Sequence, residues 1–366
     1  MLSSSLEKYA DYLRELWACQ SSLGKAKLIA MIKKTLLTGV KPTGMPHIGN
    51  YLGAIRPALQ LSHQPQYQAL LFIADYHSLT HVHRAEELRS MTYEVAASWL
   101  ACGLNPDQSL FYRQSDIPEI FELSWILSCF SPKGLLNRAH AYKAKLQENQ
   151  EAGRSDPDYG VNMGLFTYPL LMAADILMFS ADQVPVGEDQ VQHLEIARDI
   201  AQKFNNNYGP LLKVPEFLVQ KDSKLVPGLD GRKMSKSYGN HIPLFLPAPK
   251  LRKLVMKIKT DSSPPEAPKD PNDSLIFSLF KEFASMEETE ALAAHYRRGI
   301  SWGEAKEALF QAMDKVLAEP RRHYEELMAD TQTMDCLLEQ GAQRARAIAR
   351  PQLDELRRAI GLGAMV

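Results

Sequence analysis

The chain has 366 residues, of which 45% are hydrophobic and 23% are charged, and its formal net charge is −1. This profile fits a globular protein with two domains and excludes disordered and fibrous classes, while any RNA contact must come from a local basic surface. Without a long apolar run, a signal-peptide pattern or closely spaced cysteines, the sequence predicts a cytoplasmic protein with reduced thiols.

The first predicted elements are a helical extension and a glycine-rich strand-to-helix turn. Residues 1–30 have apolar residues at helical spacing, and we expect this extension to be dispensable because Met31 offers a second start. Residues 35–38 form the first predicted strand, and residues 39–44 form its glycine-rich turn. A helix is predicted to open near Ile48.

Further strands are predicted at residues 69–74, 110–112 and 183–186, each followed by a helical stretch. This alternation predicts an α/β fold over residues 31–225, a Rossmann-type doubly wound parallel sheet with helices on its faces. Such sheets bind ligands beyond the carboxyl ends of their strands. The polar residues expected there are Asp75, His77, Ser115, Asp116, Gly187 and Asp189.

The carboxyl-terminal third predicts a second, all-helical domain. Beyond about residue 244, charged and apolar residues alternate with helical period. We predict that residues 226–345 hold a lysine-rich loop and this helical domain, and that residues 346–366 form a helix that packs back. The polar stretch 147–160 predicts an exposed excursion from the first domain.

Two motifs carry most of the functional information. Lys233-Met-Ser-Lys-Ser237 lies among glycines, which indicates a flexible loop that can bring two positive charges onto a polyphosphate. His47 and Asn50 lie three residues apart at a predicted helix start, which is a ready anion site. Each motif alone leaves an alternative open: an exposed basic turn for the loop, and a simple helix cap for His47.

These motifs resemble those of class I aminoacyl-tRNA synthetases, and more closely the bacterial-type tryptophanyl family. The resemblance rests on residues 41–55, 168–177 and 184–193 together with the lysine loop, and it extends from Met31 to the carboxyl end. It implies ATP and Mg²⁺ as cofactors, and L-tryptophan and tRNA(Trp) as substrates. Tryptophan would be adenylated and then transferred to tRNA by a homodimer, with residues 226–345 holding the anticodon-binding domain.

The resemblance places the nucleotide between the two motifs. We expect the catalytic residues to be His47, Asn50, Lys233 and Lys236, with the lysines on the leaving pyrophosphate and no side chain ligating a metal. The predicted ATP-binding residues are Lys41, Thr43, Gly49, Asn50, Gly187, Asp189, Lys233, Met234, Ser235 and Lys236.

A tryptophan pocket is predicted on a helix that opens near Tyr168, with Pro169 in its first turn. Tyr168, Met172 and Asp175 share one face at helical spacing, and Asp175 can accept the hydrogen bond of a buried indole N–H. The alternatives are an ordinary buried helix and, for His77, a core histidine. The full predicted set is Leu37, Gly39, His77, Tyr168, Met172, Asp175, Val184, Val186 and Gln190.

The sequence departs from this family at three places. Leu37 replaces a common aromatic residue, Lys41 replaces a frequent glutamine, and residues 138–143 differ from the usual pattern. The other functions left open are a tyrosine–tRNA ligase, a tRNA-independent adenylating ligase or nucleotidyltransferase, and a non-catalytic tRNA-binding paralogue.

Arginines in the carboxyl-terminal helices are candidates for the local basic surface that tRNA requires. Ordinary solvated helix positions are the alternative reading. These residues are Arg297, Arg298, Arg321, Arg322, Arg344, Arg346 and Arg350.

Overall fold

The structure is a computed structural model that describes residues 33–187, 190–219 and 226–363. The helical extension predicted for residues 1–30 and the ATP contact predicted for Asp189 lie outside the described residues. Among the helices that are described, none combines the length and the apolar character that crossing a membrane requires.

A five-stranded parallel sheet forms the centre of the amino-terminal part, with strand order β3-β2-β1-β4-β5. The four predicted strands are present, which confirms the Rossmann-type fold. The fifth strand was not predicted, although it is as long as β3 and β4. The strands are β1 (Lys34–Val40), β2 (Tyr67–Ile73), β3 (Leu110–Arg113), β4 (Gln183–Val186) and β5 (Glu216–Val219).

Helices cover both faces of the sheet and make up most of the described carboxyl-terminal part. The helix predicted near Ile48 is present as α1 (Ile48–Asn50), which continues through a π-helical turn (Tyr51–Ile55) into α2 (Arg56–Ser62). The further helices are α3 (Asp75–Ser78), α4 (Ala85–Ala101), α5 (Pro118–Phe130), α6 (Lys133–Leu136), α7 (His140–Glu151), α8 (Met163–Met178), α9 (Val191–Tyr208), α10 (Ala248–Val255), α11 (Leu275–Phe280), α12 (Met286–Arg298), α13 (Trp302–Ala329) and α14 (Thr331–Ala359).

The two faces of the sheet are buried in two separate hydrophobic clusters. Successive residues of a strand point to opposite faces, so Leu36 and Phe111 belong to the cluster that extends into the carboxyl-terminal helices. Leu37 and Tyr112 belong to the other cluster, which includes residues of α5, α8 and α9. Burial on both faces is typical of parallel sheets and leaves the carboxyl edge for ligands.

The helix that carries Tyr168 begins at Met163, which corrects the predicted start. Asn162 caps this helix, because its side-chain oxygen accepts a hydrogen bond from the Leu165 amide at 2.8 Å. Pro169 therefore lies inside the helix and not in its first turn. The prediction used the preference of proline for helix starts, whereas the asparagine cap was the decisive signal.

The last helix, α14, packs against the edge strand β3. Gly341 lies so close to this strand that a Cβ atom there would come within 1.8 Å of the Phe111 carbonyl oxygen. The glycine therefore permits the close approach of helix and strand. One continuous helix passes through the domain boundary predicted between 345 and 346.

Three of the candidate RNA-binding arginines form ion pairs in which one partner is buried, whereas Arg322 forms exposed ion pairs with Glu319 and Glu326. Arg321 is buried and lies 2.9 Å from Asp314 on the same helix. Arg346 and Arg350 of α14 both bind the buried carboxylate of Glu119 in α5, at 3.0 Å. These contacts favour packing roles for the three residues over a shared tRNA surface.

Candidate active site

A cavity of about 580 Å³ lies at the carboxyl ends of β1 and β4, beside the point where the strand order reverses. We call it the amino-acid cavity. All the predicted tryptophan-binding residues line it, although several different elements supply them. They are Leu37 and Gly39 of β1, His77 of α3, Tyr168, Met172 and Asp175 of α8, Val184 and Val186 of β4, and Gln190.

Asp175 is the most deeply buried polar group of this cavity, with 1% of its surface exposed. The Gln114 amide donates from Nε2 to both carboxylate oxygens, at 2.8 and 2.9 Å. His77 Nε2 lies 3.1 Å from Asp175 Oδ2. A carboxylate offers about four lone-pair positions, so Asp175 can still accept a hydrogen bond from a ligand.

The charge of Asp175 depends on its two donors. Burial raises the pKa of Asp175 above its ordinary value, whereas hydrogen bonds from His77 and Gln114 and the charge of His77 lower it. Gln114 is itself fully buried, and its Oε1 has no hydrogen-bond partner among the described residues. The amide therefore faces the carboxylate with its donor, at the expense of an unsatisfied carbonyl oxygen.

A second hydrogen-bonded chain fixes the aromatic wall of the cavity. The Tyr168 hydroxyl and His193 Nε2 form a short hydrogen bond, and His193 Nδ1 lies 2.9 Å from Gln190 Oε1. Burial raises the pKa of Tyr168 to about 12, so the phenol keeps its proton at neutral pH. His193 then donates from Nδ1 to Gln190 and accepts at Nε2 from Tyr168.

Lys41 brings a half-buried positive charge to the cavity wall. Its Nζ lies 3.4 Å from Thr80 Oγ1, and burial lowers the pKa of Lys41 from its ordinary value. His81 also lines the cavity, and burial followed by the charge of Lys41 lowers the pKa of His81. An ammonium group in this position suits an anionic ligand group such as a carboxylate or a phosphate.

His47 and Asn50 form a reciprocal cap at the start of α1. His47 Nδ1 accepts a hydrogen bond from the Asn50 amide at 3.2 Å, and Asn50 Oδ1 accepts one from the His47 amide at 3.0 Å. Burial, followed by the charges of His241 and Lys236, lowers the pKa of His47 to about 4. The neutral ring therefore carries its proton on Nε2, where it can donate to a ligand oxygen.

The lysine loop lies directly against this helix start. The Gly49 amide donates to Met234 Sδ at 3.3 Å, and Lys236 Nζ donates to the Thr43 carbonyl at 2.6 Å. Met234 is buried, whereas Lys233 and Lys236 are exposed. Burial lowers the pKa of Lys236, and the nearby charge of Glu94 opposes that shift.

The structure divides the predicted ATP-binding residues into two groups. Lys41 and Gly187 line the amino-acid cavity. The others, apart from Asp189, lie at the helix start and in the lysine loop. Together with the predicted catalytic residue His47 we call them the phosphate cluster: Thr43, His47, Gly49, Asn50, Lys233, Met234, Ser235 and Lys236. Their ATP contacts stay predictions.

Sequence reasoning missed Gln114 and His193, which hold polar groups of the cavity by hydrogen bonds. Gln114 follows β3 directly, but the candidates chosen there were Ser115 and Asp116. The Ser115 hydroxyl and amide both donate to Asp75. Ser115 and Asp75 therefore bond to each other beyond the strand ends, and neither lines the cavity. His193 ends the motif 184–193 and could have been found by its spacing of three residues from Gln190.

The fold and the site define a class of protein before any comparison is made. A doubly wound sheet carries a loop with two exposed lysines against a helix start, and an apolar cavity with a buried carboxylate. This combination is typical of enzymes that bind a nucleotide together with a small organic substrate.

The chain belongs to the family of class I tRNA synthetases for tryptophan and tyrosine, whose model matches residues 33–318. It is 51% identical to the tryptophan–tRNA ligase of Neisseria meningitidis over 332 residues, which cover 91% of this chain and 99% of that protein. The tryptophan–tRNA ligase of Pseudomonas aeruginosa is 51% identical over 330 residues, covering 89% of this chain and 73% of that one.

The chain is also similar to a solved structure of a tryptophanyl-tRNA synthetase. The crystal structure of the Campylobacter jejuni tryptophanyl-tRNA synthetase, complexed with ADP and tryptophan, superposes with a TM-score of 0.82 at 41% identity. The match covers 90% of this chain and all of that one.

Proposed function

We propose that this protein is a tryptophan–tRNA ligase. It activates L-tryptophan with ATP to tryptophanyl-adenylate, releases pyrophosphate, and then transfers the amino acid to tRNA(Trp). The observation that carries the proposal is the buried Asp175 in an apolar cavity directly beside the phosphate cluster. The 51% identity to a tryptophan–tRNA ligase over nearly the whole of that enzyme supports it.

Asp175 selects the amino acid by accepting the indole N–H. Leu37, Met172 and Val184 supply apolar walls, and a donor from the ligand completes the hydrogen bonding of the carboxylate. Phenylalanine has no donor there, so Asp175 would lose one of its hydrogen bonds, which costs about 1–3 kcal/mol for a buried charged acceptor. The remaining predicted residues bind the amino acid from the other walls: Gly39, His77, Tyr168, Val186 and Gln190.

ATP binds with its phosphates on the phosphate cluster and its ribose near Gly187 and Asp189. The lysine loop brings Lys233 and Lys236 onto the leaving pyrophosphate, while the neutral His47 donates from Nε2. Lys41, at the cavity wall, neutralises negative charge where the tryptophan carboxylate meets the α-phosphate.

No protein nucleophile is needed for this reaction. The tryptophan carboxylate attacks the α-phosphorus, the bond to the bridging oxygen breaks, and pyrophosphate leaves with the electron pair. Catalysis then consists of positioning two substrates and neutralising the charge that develops on the phosphates.

Mg²⁺ accompanies ATP in this proposal. Among the described residues, no group of three histidine, cysteine, aspartate or glutamate side chains could hold a metal ion. The Mg²⁺ ion would retain several waters and would be held chiefly by phosphate oxygens. Bound there, it would neutralise negative charge on the leaving pyrophosphate.

We further propose that the enzyme is a cytoplasmic homodimer. Trp125 of α5 is 72% exposed, and Tyr76, which is 41% exposed, packs against Phe121 with a ring-centroid distance of 4.3 Å. Phe121 and Trp125 are four residues apart on α5 and lie on one side of it. An exposed aromatic surface of this kind supports packing against a second copy.

The proposed function is tested by charging total bacterial tRNA with labelled amino acids. We expect ATP-dependent charging with tryptophan and none with tyrosine. Charging with tyrosine but not tryptophan would identify a tyrosine–tRNA ligase. Adenylation without charging of any tRNA would identify a tRNA-independent adenylating enzyme.

A further inference from the structure

Gly39 of β1 lies where a neighbouring side chain leaves no room for a Cβ atom. Its φ angle lies outside the left-handed region, so the backbone conformation does not require glycine. A Cβ atom at this position would come within 2.5 Å of Cζ and 2.8 Å of Cε1 of Phe72. The tip of the Phe72 ring therefore occupies the space in which a side chain of residue 39 would lie.

Phe72 reaches the amino-acid cavity across this glycine. It is paired with Gly39 in the parallel register of β1 and β2, and it lines the cavity together with Leu37, Val184 and Val186. Strand β1 lies between β2 and β4. The floor of the cavity is thus bordered by an aromatic ring from β2 and by two valines from β4.

Aromatic side chains of neighbouring elements pack against the Phe72 ring. It stacks on Tyr112 of β3 with ring centroids 5.8 Å apart and an angle of 16° between the planes. Tyr112 is fully buried and packs in turn on Phe179 at 5.7 Å. Burial, and then the charge of Asp175, raises the pKa of Tyr112, so this phenol keeps its proton at neutral pH.

We propose that Phe72 is a specificity-determining residue, the aromatic wall on which the indole ring stacks when its N–H is bonded to Asp175. Gly39 is required because the Phe72 ring fills the space beside it. The rings of Tyr112, Phe72 and the indole would then form an offset stack. Such a stack contributes binding free energy in addition to that of the apolar area it buries. This inference rests on the proposed function and names a contact within it.

The direct test is Phe72→Leu, measured by tryptophan-dependent exchange of labelled pyrophosphate into ATP. We expect the KM for tryptophan to rise about tenfold, because an aromatic contact and part of its area are lost. The KM for ATP and kcat should stay within about twofold, since Phe72 does not touch the phosphate cluster. An unchanged KM for tryptophan would overturn the proposal.

Phe111→Leu is the matched control. Phe111 is 1% exposed and belongs to the hydrophobic cluster on the opposite face of the sheet from Phe72. We expect Phe111→Leu to lower the melting temperature without changing the KM for tryptophan. An equal rise in that KM for both variants would show a general effect of core damage and would overturn the assignment of Phe72.

A double-mutant cycle tests the role of Gly39. Gly39→Ala alone should raise the KM for tryptophan by displacing the Phe72 ring, but it should add little to Phe72→Leu. Full additivity would contradict the spatial role of the glycine. If Phe72→Leu fails to fold, Phe72→Met takes its place in the cycle, with folding checked by circular dichroism.

Failure of the proposed function gives a different result. In that case the wild-type protein shows no exchange with tryptophan. Failure of the present inference leaves wild-type exchange intact and affects only the comparison of variants.

Discussion

The amino-acid cavity and the phosphate cluster differ in how their polar groups are held. In the cavity, Asp175 is buried and receives hydrogen bonds from Gln114 and His77, whose positions follow from the ends of two strands. In the cluster, Lys233 and Lys236 are exposed on a loop, and Lys236 donates to a backbone carbonyl. Selecting a side chain requires rigid surroundings, whereas neutralising a leaving group requires charges that can follow it.

The largest effect is expected in the phosphate cluster. Lys233→Ala together with Lys236→Ala should reduce the exchange rate about 1,000-fold, because both cations on the leaving pyrophosphate are removed. Tryptophan binding, measured by calorimetry, should remain, since neither lysine lines the cavity.

The matched control is Lys250→Ala together with Lys253→Ala, which removes two exposed charges from α10. Exchange should stay near the wild-type rate. If the loop variant also retained its rate, the proposed mechanism would be wrong.

The second largest effect is expected in the amino-acid cavity. Asp175→Asn should raise the KM for tryptophan about 100-fold, because a charge-assisted hydrogen bond to the indole is lost. Asp75→Asn is the control, since Asp75 is also a buried carboxylate at the same sheet edge but bonds to Ser115. That control should change stability and leave the KM for tryptophan unaltered. If Asp175→Asn and the wild type had the same KM for tryptophan, Asp175 would have no role in substrate recognition.

Gln114 tests whether the carboxylate must be held by its neighbours. Gln114→Met removes the donor and should raise the KM for tryptophan about tenfold, with kcat unchanged. Gln114→Glu should be worse than Gln114→Met near neutral pH, because two carboxylates would face each other. Its KM should recover partly as the pH falls. The reverse order of the two variants would show that Gln114 acts through packing alone.

The smallest effect concerns the stability of the phosphate cluster in acid. The pKa of His47 is about 4 in the folded protein, below its ordinary value of 6.5. Below pH 6.5 the unfolded chain binds a proton that the folded chain does not, so this contribution to stability is present above 6.5 and is lost as the pH falls towards 4.

The variant His47→Asn keeps a capping side chain without a titrating ring. Its melting temperature should therefore fall less between pH 6.5 and 4 than that of the wild type, by a few degrees. The measurement is thermal unfolding followed by circular dichroism across this range. Parallel curves for the two proteins would contradict the shifted pKa.

Much of the fold followed from the sequence because the strands and helices have clear periods. The strands near Thr35, Ala69, Leu110 and Gln183 are buried and apolar, and each precedes a helix. Strand β5 is as short as β3 and β4, but the next described helix after it is α10, so no strand-to-helix alternation marks it. The start of α8 was misplaced because Asn162 and Pro169 both mark helix starts, and only the structure shows which one acts as the cap.

The cavity residues were predictable where they lie within a motif, and not where they depend on packing across strands. Tyr168, Met172 and Asp175 share a helix, so their spacing places them together. Phe72 and Gly39 meet only because β1 and β2 pair in one register, which the sequence does not specify. Gln114 follows β3 and bonds to Asp175 of α8, a contact that depends on how the helix packs on the sheet and that sequence spacing does not show.

The most direct test of the whole account is pyrophosphate exchange with each of the twenty amino acids. We predict exchange with tryptophan, and rates at least about 100-fold lower with phenylalanine and tyrosine, because the apolar cavity and Asp175 choose the substrate on which the phosphate cluster acts. Exchange that is absent with tryptophan, or equally fast with tyrosine, would contradict the account.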